Sequence, residues 1–545
     1  MRHATIYIIA LLLAACYEDK GNYTYNAINE ITFDTTSTPT TYTAEVSGQL
    51  VIDPVITATG ALPDPDDLAY EWYFYSSALT VHDWYPVSHE KKLDITMIYN
   101  AGTYRATLYV TNKKTNLTSH FTFNVNLISR ISHGILAFNV KDGVADFDYI
   151  ATPSTVRELT EPVRVRDAFR SINGRSLEGN PLTIAHTALD GRAVNSIYVS
   201  TDKELLRLYA RNFLLDHDAN SLLVPPLPSR LNFEYIDGQG GASGNIVVFI
   251  NDGVLRRVAY GVQYYTDPSI PSPQFPGTSL GDVYLANAHV RPTTSGSMVA
   301  NLIFYDTAGK RFVYLARYSS PDATLEPLPA QNAAGLFDVN NIGKDLRFLD
   351  RGYNFFGLAV FSGGPGDCWL YEINLPQAYN ITTATDLSHG KHDMSALPGI
   401  DNAIAFDAGT KGHFFLYATE RDIYTCDYQG ANPDPAARVA PVTATRLPAD
   451  IPANEQITGI KIYKYDGGIY SQGGGGASDP SYVYYAALNS SLLYVSTWDG
   501  SRGHLYEFAI SPVNGTLESS TPLYHFGDLG RIVDLAVKIQ YRESY

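Results

Sequence analysis

Apolar positions in this chain recur at every second residue or in short unbroken runs, and polar turns close each run. Tyr70-Glu71-Trp72-Tyr73-Phe74-Tyr75 alternates, which places Tyr70, Trp72 and Phe74 on one face of a strand. Tyr104, Ala106, Leu108 and Val110 keep the same period within Ala101 to Asn112. Residues 112–116 (Asn-Lys-Lys-Thr-Asn) supply a polar turn, and His120 to Asn126 run back with Phe121, Phe123 and Val125 on one face. Ile31-Thr32-Phe33 and Gln49-Leu50-Val51-Ile52 are shorter strand candidates. Several short strands in about one hundred residues, with a tryptophan on an inner face, predict an Ig-like β-sandwich over residues 26–128.

From residue 131 to 545 one theme repeats: an apolar strand, a tight turn and a second strand. It appears at Ile135 to Phe147, Ile197 to Tyr209, Ile246 to Val258 and Leu302 to Tyr314. It recurs at Leu358 to Phe361 with Trp369 to Tyr371, at Phe414 to Glu420 with Ile423 and Tyr424, and at Leu492 to Val495 with His504 to Phe508. The turns carry Asp-Gly, Asp-Lys or Ala-Gly, residue types that tolerate hairpin geometry. About seven hairpins, roughly 50–60 residues apart, predict a β-propeller with room for loops. Six to eight blades fit the spacing and seven fits it best; an array of sandwiches or a β-helix is the alternative. Arg531 to Lys538 is an apolar strand placed to pair with the first blade and close the ring.

Composition agrees with an all-β chain. Among 545 residues there are 40 Tyr and 43 Gly, and only 17% are charged. Tyrosine and β-branched residues suit a pleated, half-buried surface. The length calls for two or more domains. A net charge of −17 argues against nucleic acid as a partner. Besides Cys16 the only cysteines are Cys368 and Cys426, which either pair with each other or stay as separate buried thiols. No CxxC pair is present, so a zinc ribbon or thioredoxin-like site is excluded.

The first residues follow another rule. Arg2 and His3 precede the apolar run Ile6 to Leu13, and Leu13-Ala14-Ala15-Cys16 places small residues directly before a cysteine. This reads as a secretory signal over residues 1–15, too short to span a bilayer. Its end resembles a bacterial lipobox, which implies cleavage before Cys16 and lipid on that cysteine. Tyr17-Glu18-Asp19 resembles the surface-export signal of Bacteroidetes lipoproteins. That resemblance implies an outer-membrane, cell-surface protein held by acyl chains, with residues 16–25 as a lipidated tether.

Tyr70-Glu71-Trp72, followed by Ala101-Gly102-Thr103-Tyr104-Arg105-Ala106-Thr107-Leu108-Tyr109-Val110-Thr111-Asn112, resembles a PKD domain. Ser76-Ser77-Ala78 stands where that family usually has a Gly-Asp-Gly turn. With Cys16-Tyr-Glu-Asp-Lys-Gly-Asn-Tyr, the segment is similar to the PKD-like lipoproteins of Bacteroidetes over roughly residues 16–128. The resemblance implies an accessory role beside an outer-membrane nutrient importer, catching glycan or peptide.

Candidate chemistry is sparse. Gly277-Thr278-Ser279-Leu280-Gly281 matches a nucleophile-elbow pattern, but Pro271, Pro273 and Pro276 before it make it a loop. His389-Gly390-Lys391-His392-Asp393 has flanks that read as loop, so its histidines are expected to be solvated. Asp64-Pro65-Asp66-Asp67 lacks the glycine and glutamate of a calcium loop. Gly473 to Gly476 lack the Lys-Ser or Lys-Thr of a phosphate loop. No motif calls for a cofactor or a metal, and no catalytic constellation stands out.

Aromatic residues remain. Trp84, Tyr85, Tyr264, Tyr265, Tyr353, Trp369 and Trp498 fall in or beside expected loops, where rings stack on sugars or grip peptides. Trp498, with Asp499 in the turn Asp499-Gly500-Ser501-Arg502, is the leading candidate; Trp369 and Tyr353 follow. The expected function is non-catalytic binding of glycan or peptide by the propeller, with the sandwich as spacer. A propeller enzyme acting on glycans and an interaction protein of an envelope complex are the alternatives.

Overall fold

The computed structural model describes residues 29–46, 48–77, 85–99, 102–188, 195–223, 227–239, 245–260, 283–288, 301–316, 324–328, 335–353, 356–374, 387–428, 442–464, 484 and 487–539. Nearly all regular structure is β, in two compact units, Met1–Ile128 and Ser129–Tyr545. Cys16 and the tether, the Gly277–Gly281 and Gly473–Gly476 segments, and Trp84, Tyr264 and Tyr265 lie outside the described residues.

The first unit is a β-sandwich. Thr41–Glu45, Leu117–Ile128, Gly102–Asn112 and Leu68–Ser76 form one sheet in that spatial order. Gln49–Ile52 pairs with Leu93–Thr96, and Ile31–Phe33 with Ile56–Ala58. The alternation in the sequence is the alternation in burial: Trp72, Phe74, Ala106, Leu108, Val110, Phe123 and Val125 point into one core. The Trp72 indole N–H donates to the Glu90 carbonyl at 3.0 Å, so its polar edge is satisfied inside that core. Asp64 caps the short turn Pro65–Asp67, and Asp67 pairs with Lys114 at 2.5 Å. Two of the three carboxylates of that acidic cluster are thus engaged within the protein.

The second unit is a seven-bladed β-propeller. Each expected hairpin forms the second and third strands of one blade. These middle strands are sandwiched between neighbouring blades, so both faces are apolar and they read as near-continuous hydrophobic runs. The Asp142-Gly143 and Asp252-Gly253 turns have positive φ at both residues (53° and 77°; 48° and 69°), the twist that joins adjacent strands tightly. The inner strands of blades 2 to 7 are Pro181–Ala188, Phe233–Gln239, Val283–Ala288, Asp345–Arg351, Ala405–Ala408 and Gln456–Ile462. The inner strand of blade 1 comes from the far end of the chain: Arg531–Lys538 pairs antiparallel with Gly134–Lys141. Each inner strand lies beside the next, from Arg531–Lys538 through blades 2 to 7 and back, which completes the ring. Six blades show four strands and blade 3 shows three among the described residues.

The core lies between blades. One cluster joins Phe147 and Tyr149 of blade 1 to Ile197 and Leu208 of blade 2. Another joins Leu416 of blade 6 to Val495 and Phe508 of blade 7, and a third joins Tyr494 of blade 7 to Ile135 of blade 1. Cys368 of blade 5 and Cys426 of blade 6 are both buried in one such seam and both free. Burial pushes the Cys368 thiol up to about 11 and Cys426 upward as well.

The histidine segment differs from the sequence expectation. Ser388–Asp393 is the outer strand of blade 5, and His392 is buried, with Nε2 2.9 Å from Glu372 Oε2. The polar run misled because alternate residues, Ser388, Gly390 and His392, face inward. A Cβ on Gly390 would meet Glu372 Oε2, so a larger residue there would force the Glu372 side chain to shift.

Candidate functional site

Strand direction sorts the candidate residues between the two ends of the propeller. At one end the inner strands begin and the hairpins between second and third strands turn; we call it the entry rim. Trp498 ends the second strand of blade 7 and Asp499 starts the hairpin after it, so both lie on the entry rim. Trp369 follows the corresponding hairpin of blade 5, two blades away. Tyr353 follows the inner strand of blade 5 and lies at the opposite end, its ring 4.1 Å from that of His413. Trp498 and Asp499 are therefore neighbours, while Trp369 and Tyr353 belong to separate places.

Trp369 is committed to its own blade. Its indole N–H donates to Asp367 at 2.5 Å, and the Lys391 ammonium stands 4.9 Å from the ring centre. Trp498 is different. It is half-buried, faces Gly503 across the hairpin, and among the described residues makes no hydrogen bond or ring contact through its side chain. A glycine opposite is required, because a Cβ on Gly503 would collide with the Gly530 carbonyl oxygen.

Asp499 holds the hairpin rigid. One carboxylate oxygen accepts from the backbone N–H of Ser501 (2.8 Å) and Arg502 (2.7 Å) and from the Ser501 hydroxyl (2.8 Å). The other meets His504 Nε2 at 3.3 Å and Arg502 Nε at 3.5 Å. The Arg502 and Ser501 backbone N–H groups, with the Ser501 hydroxyl, hold its carboxyl well below the usual carboxylate range. Asp499 stays ionised and spent within the turn.

From there a polar seam crosses blade 7 on the face turned to blade 6. Thr497, His504 and Tyr506 share that face because strand residues alternate. Tyr506 donates to Glu455 Oε1 and Oε2 at 2.9 and 3.0 Å, and Thr497 also donates to Glu455. His504 Nε2 lies 3.9 Å from Glu455 Oε1, and His504 Nδ1 lies 3.1 Å from His525 Nε2. The His525 ring is parallel to that of Tyr506, within 4° and 4.4 Å between centres. Burial lowers the His525 pKa, and the neighbouring His504 adds to this. His504 and Glu455 are buried while His525 is exposed on the outer strand.

Glu455, His504, Tyr506 and His525 escaped sequence reasoning. The legible signal was His504 and Tyr506 at alternate positions, a polar pair on one face of an otherwise apolar strand. Among the described residues no group of three or more His, Cys, Asp or Glu side chains is arranged to hold a metal.

Solved structures similar to this chain are distant. A quinonprotein alcohol dehydrogenase-like protein from Bacteroides thetaiotaomicron is 11% identical, with 92% of this chain and 100% of that one covered, at a TM-score of 0.36. A putative 6-phosphogluconolactonase from Bacteroides fragilis is 10% identical, covering 74% and 98%, at a TM-score of 0.40. Apo AztD from Citrobacter koseri is 10% identical, covering 87% and 98%, at 0.35. At such TM-scores the propeller rests on its own strand topology. No curated protein matches the chain. Residues 16–181 match the model of the PKD-like family, a stretch that spans the sandwich and runs through the first blade.

Proposed function

We propose that this protein is a surface-exposed, outer-membrane lipoprotein that binds glycan or peptide at the entry rim of its propeller, without turning it over, as accessory to a nutrient-uptake system. The observation that carries this reading is Trp498: a half-buried indole with no partner of its own among the described residues, on a hairpin that Asp499 fixes through three hydrogen bonds. A rigid aromatic face loses little entropy when it stacks on a sugar or a peptide side chain. Lipid attachment at Cys16 is supported by the small residues before it and by a family match that starts at that residue. The acidic net charge suits a domain held clear of an anionic membrane surface.

The grouping of Glu455, Asp499 and His504 favours one second reading, a propeller enzyme acting on glycans. A binding screen of the chain lacking residues 1–16 against arrayed glycans and peptides, with product analysis of each hit, separates the two. Retention of intact ligand that is lost in Trp498→Ala supports the binding role. Cleaved product replaces it with the enzyme reading.

A further inference from the structure

We propose that His525 is a ligand contact whose outward nitrogen is set as a hydrogen-bond acceptor by Asp499 and His504, which fits it to a hydroxyl of a neutral sugar. This subsite rests on the binding reading above and names its chemistry. It lies on the blade 6 side of the hairpin, across the sheet from Trp498.

The assignment follows from which groups face each nitrogen. His504 Nε2 is 3.3 Å from Asp499 Oδ2 and 3.9 Å from Glu455 Oε1. A bare lone pair there would face two carboxylates, so Nε2 carries the proton. Whenever the His504 ring carries that single proton, its Nδ1 is the acceptor, and it lies 3.1 Å from His525 Nε2. The two imidazoles meet head-on, with ring centres 5.3 Å apart and planes within 24°, as an in-plane N–H···N bond requires. His525 Nε2 therefore donates, and its Nδ1 is left bare.

Among the described residues Nδ1 of His525 has no hydrogen-bond partner, and the residue is exposed. Tyr506 backs one face of the ring and fixes its plane. Asp499 and His504 are thus positioning residues, and His525 is the group that touches ligand. The nearby charged and titratable side chains are Asp499, Glu455, Arg502, Tyr506 and His504. An added proton ends on the outward nitrogen, whichever ring holds the charge, and turns the acceptor into a donor. With both rings neutral, the outward acceptor selects hydroxyl or N–H donors over carboxylates. The uncharged outward nitrogen and the aromatic backing favour a sugar hydroxyl.

The test has two arms on the chain lacking residues 1–16. Side-chain ¹⁵N spectra at pH 8 read the tautomers: protons are expected on Nε2 of both His504 and His525, with a shifted tautomer balance at both in Asp499→Asn. A proton on His525 Nδ1 at pH 8 overturns the proposal. In the second arm, the tightest neutral glycan from the screen is titrated against variants. His525→Phe is expected to weaken it about 3- to 10-fold, the loss of one hydrogen bond, and His525→Asn to recover part of that through its amide oxygen. Unchanged affinity in His525→Phe, with loss in Trp498→Ala, overturns the subsite and leaves the binding reading intact. If no glycan or peptide binds the wild type, that reading and the ligand role of His525 fall together, and the tautomer spectra alone decide whether the relay exists.

Discussion

Glu507 offers a sharp test of how the ring is held at the seam between the last blade and the first. It sits on the third strand of blade 7, is fully buried, and accepts from the Thr152 hydroxyl of blade 1 at 2.9 and 3.1 Å. Burial raises its pKa from 4.5 to about 7, against the lowering effect of the Ser154 and Thr152 hydroxyls. The folded state therefore holds this proton more tightly than the unfolded chain. Stability contributed by the proton is complete below about 4.5, falls as pH rises, and is gone above about 7. A difference of one in pKa corresponds to about 1.4 kcal/mol, so the loss across that window is about 3 kcal/mol. Glu507→Gln keeps the shape and removes the titration. Asp146, raised by burial to about 6, titrates in the same direction but is common to both proteins and cancels in the difference. Guanidinium unfolding of the propeller transition, run from about pH 4.5 to 8 on both proteins, checks the claim. The variant is expected to match the wild type at low pH and to exceed it by about 3 kcal/mol at pH 8. Parallel curves across that range would refute a buried, high-pKa carboxyl at the seam.

Three further outcomes follow from the same packing. Lys538 is fully buried on the closing strand and donates to the carbonyls of Ile131 and Ser132, so Lys538→Met strands both acceptors and is expected to cost about 2–4 kcal/mol, read as a lowered propeller melting temperature. Gly530 joins blade 7 to the closing strand, and a Cβ there would collide with the Val140 carbonyl oxygen; Gly530→Ala is expected to destabilise the ring by about 1–3 kcal/mol and to speed hydrogen exchange in Gly134–Lys141. Cys368 and Cys426 are buried with raised thiol pKa values, so a thiol reagent at pH 8 should label neither in the folded chain lacking residues 1–16 and both after denaturation; native labelling would contradict the packing of that seam.

The middle strands of every blade were legible because they bury both faces and so carry unbroken apolar runs, as Leu492 to Val495 does. Of the inner strands only the closing one, Arg531–Lys538, was legible, through its apolar alternation and its place at the end of the chain; the other inner strands and the outer strands were not. Asp350 and Arg351 end the inner strand of blade 5, and Asp407 sits in that of blade 6, where Lys464 pairs with both aspartates. Charges that satisfy each other in three dimensions look like loop in one. The same masking hid His392, whose partner Glu372 is on the adjacent strand. At the candidate site the turn signal around Asp499 exposed the hairpin, but the seam from Glu455 to His525 is assembled from distant stretches of chain and has no local signature. Strand parity also separates Trp498 from that seam, a distinction that depends on register.

Whether a preorganised entry rim binds ligand without chemistry is decided by calorimetric titration of the best hit from the glycan and peptide screen, with product analysis of the same samples. The wild type and Trp498→Ala are compared side by side. Intact ligand is expected throughout, with an affinity reduced about tenfold or more in the variant, in keeping with loss of an aromatic stacking contact. Equal affinity in the two proteins, or ligand converted to product, would contradict binding at Trp498 without turnover.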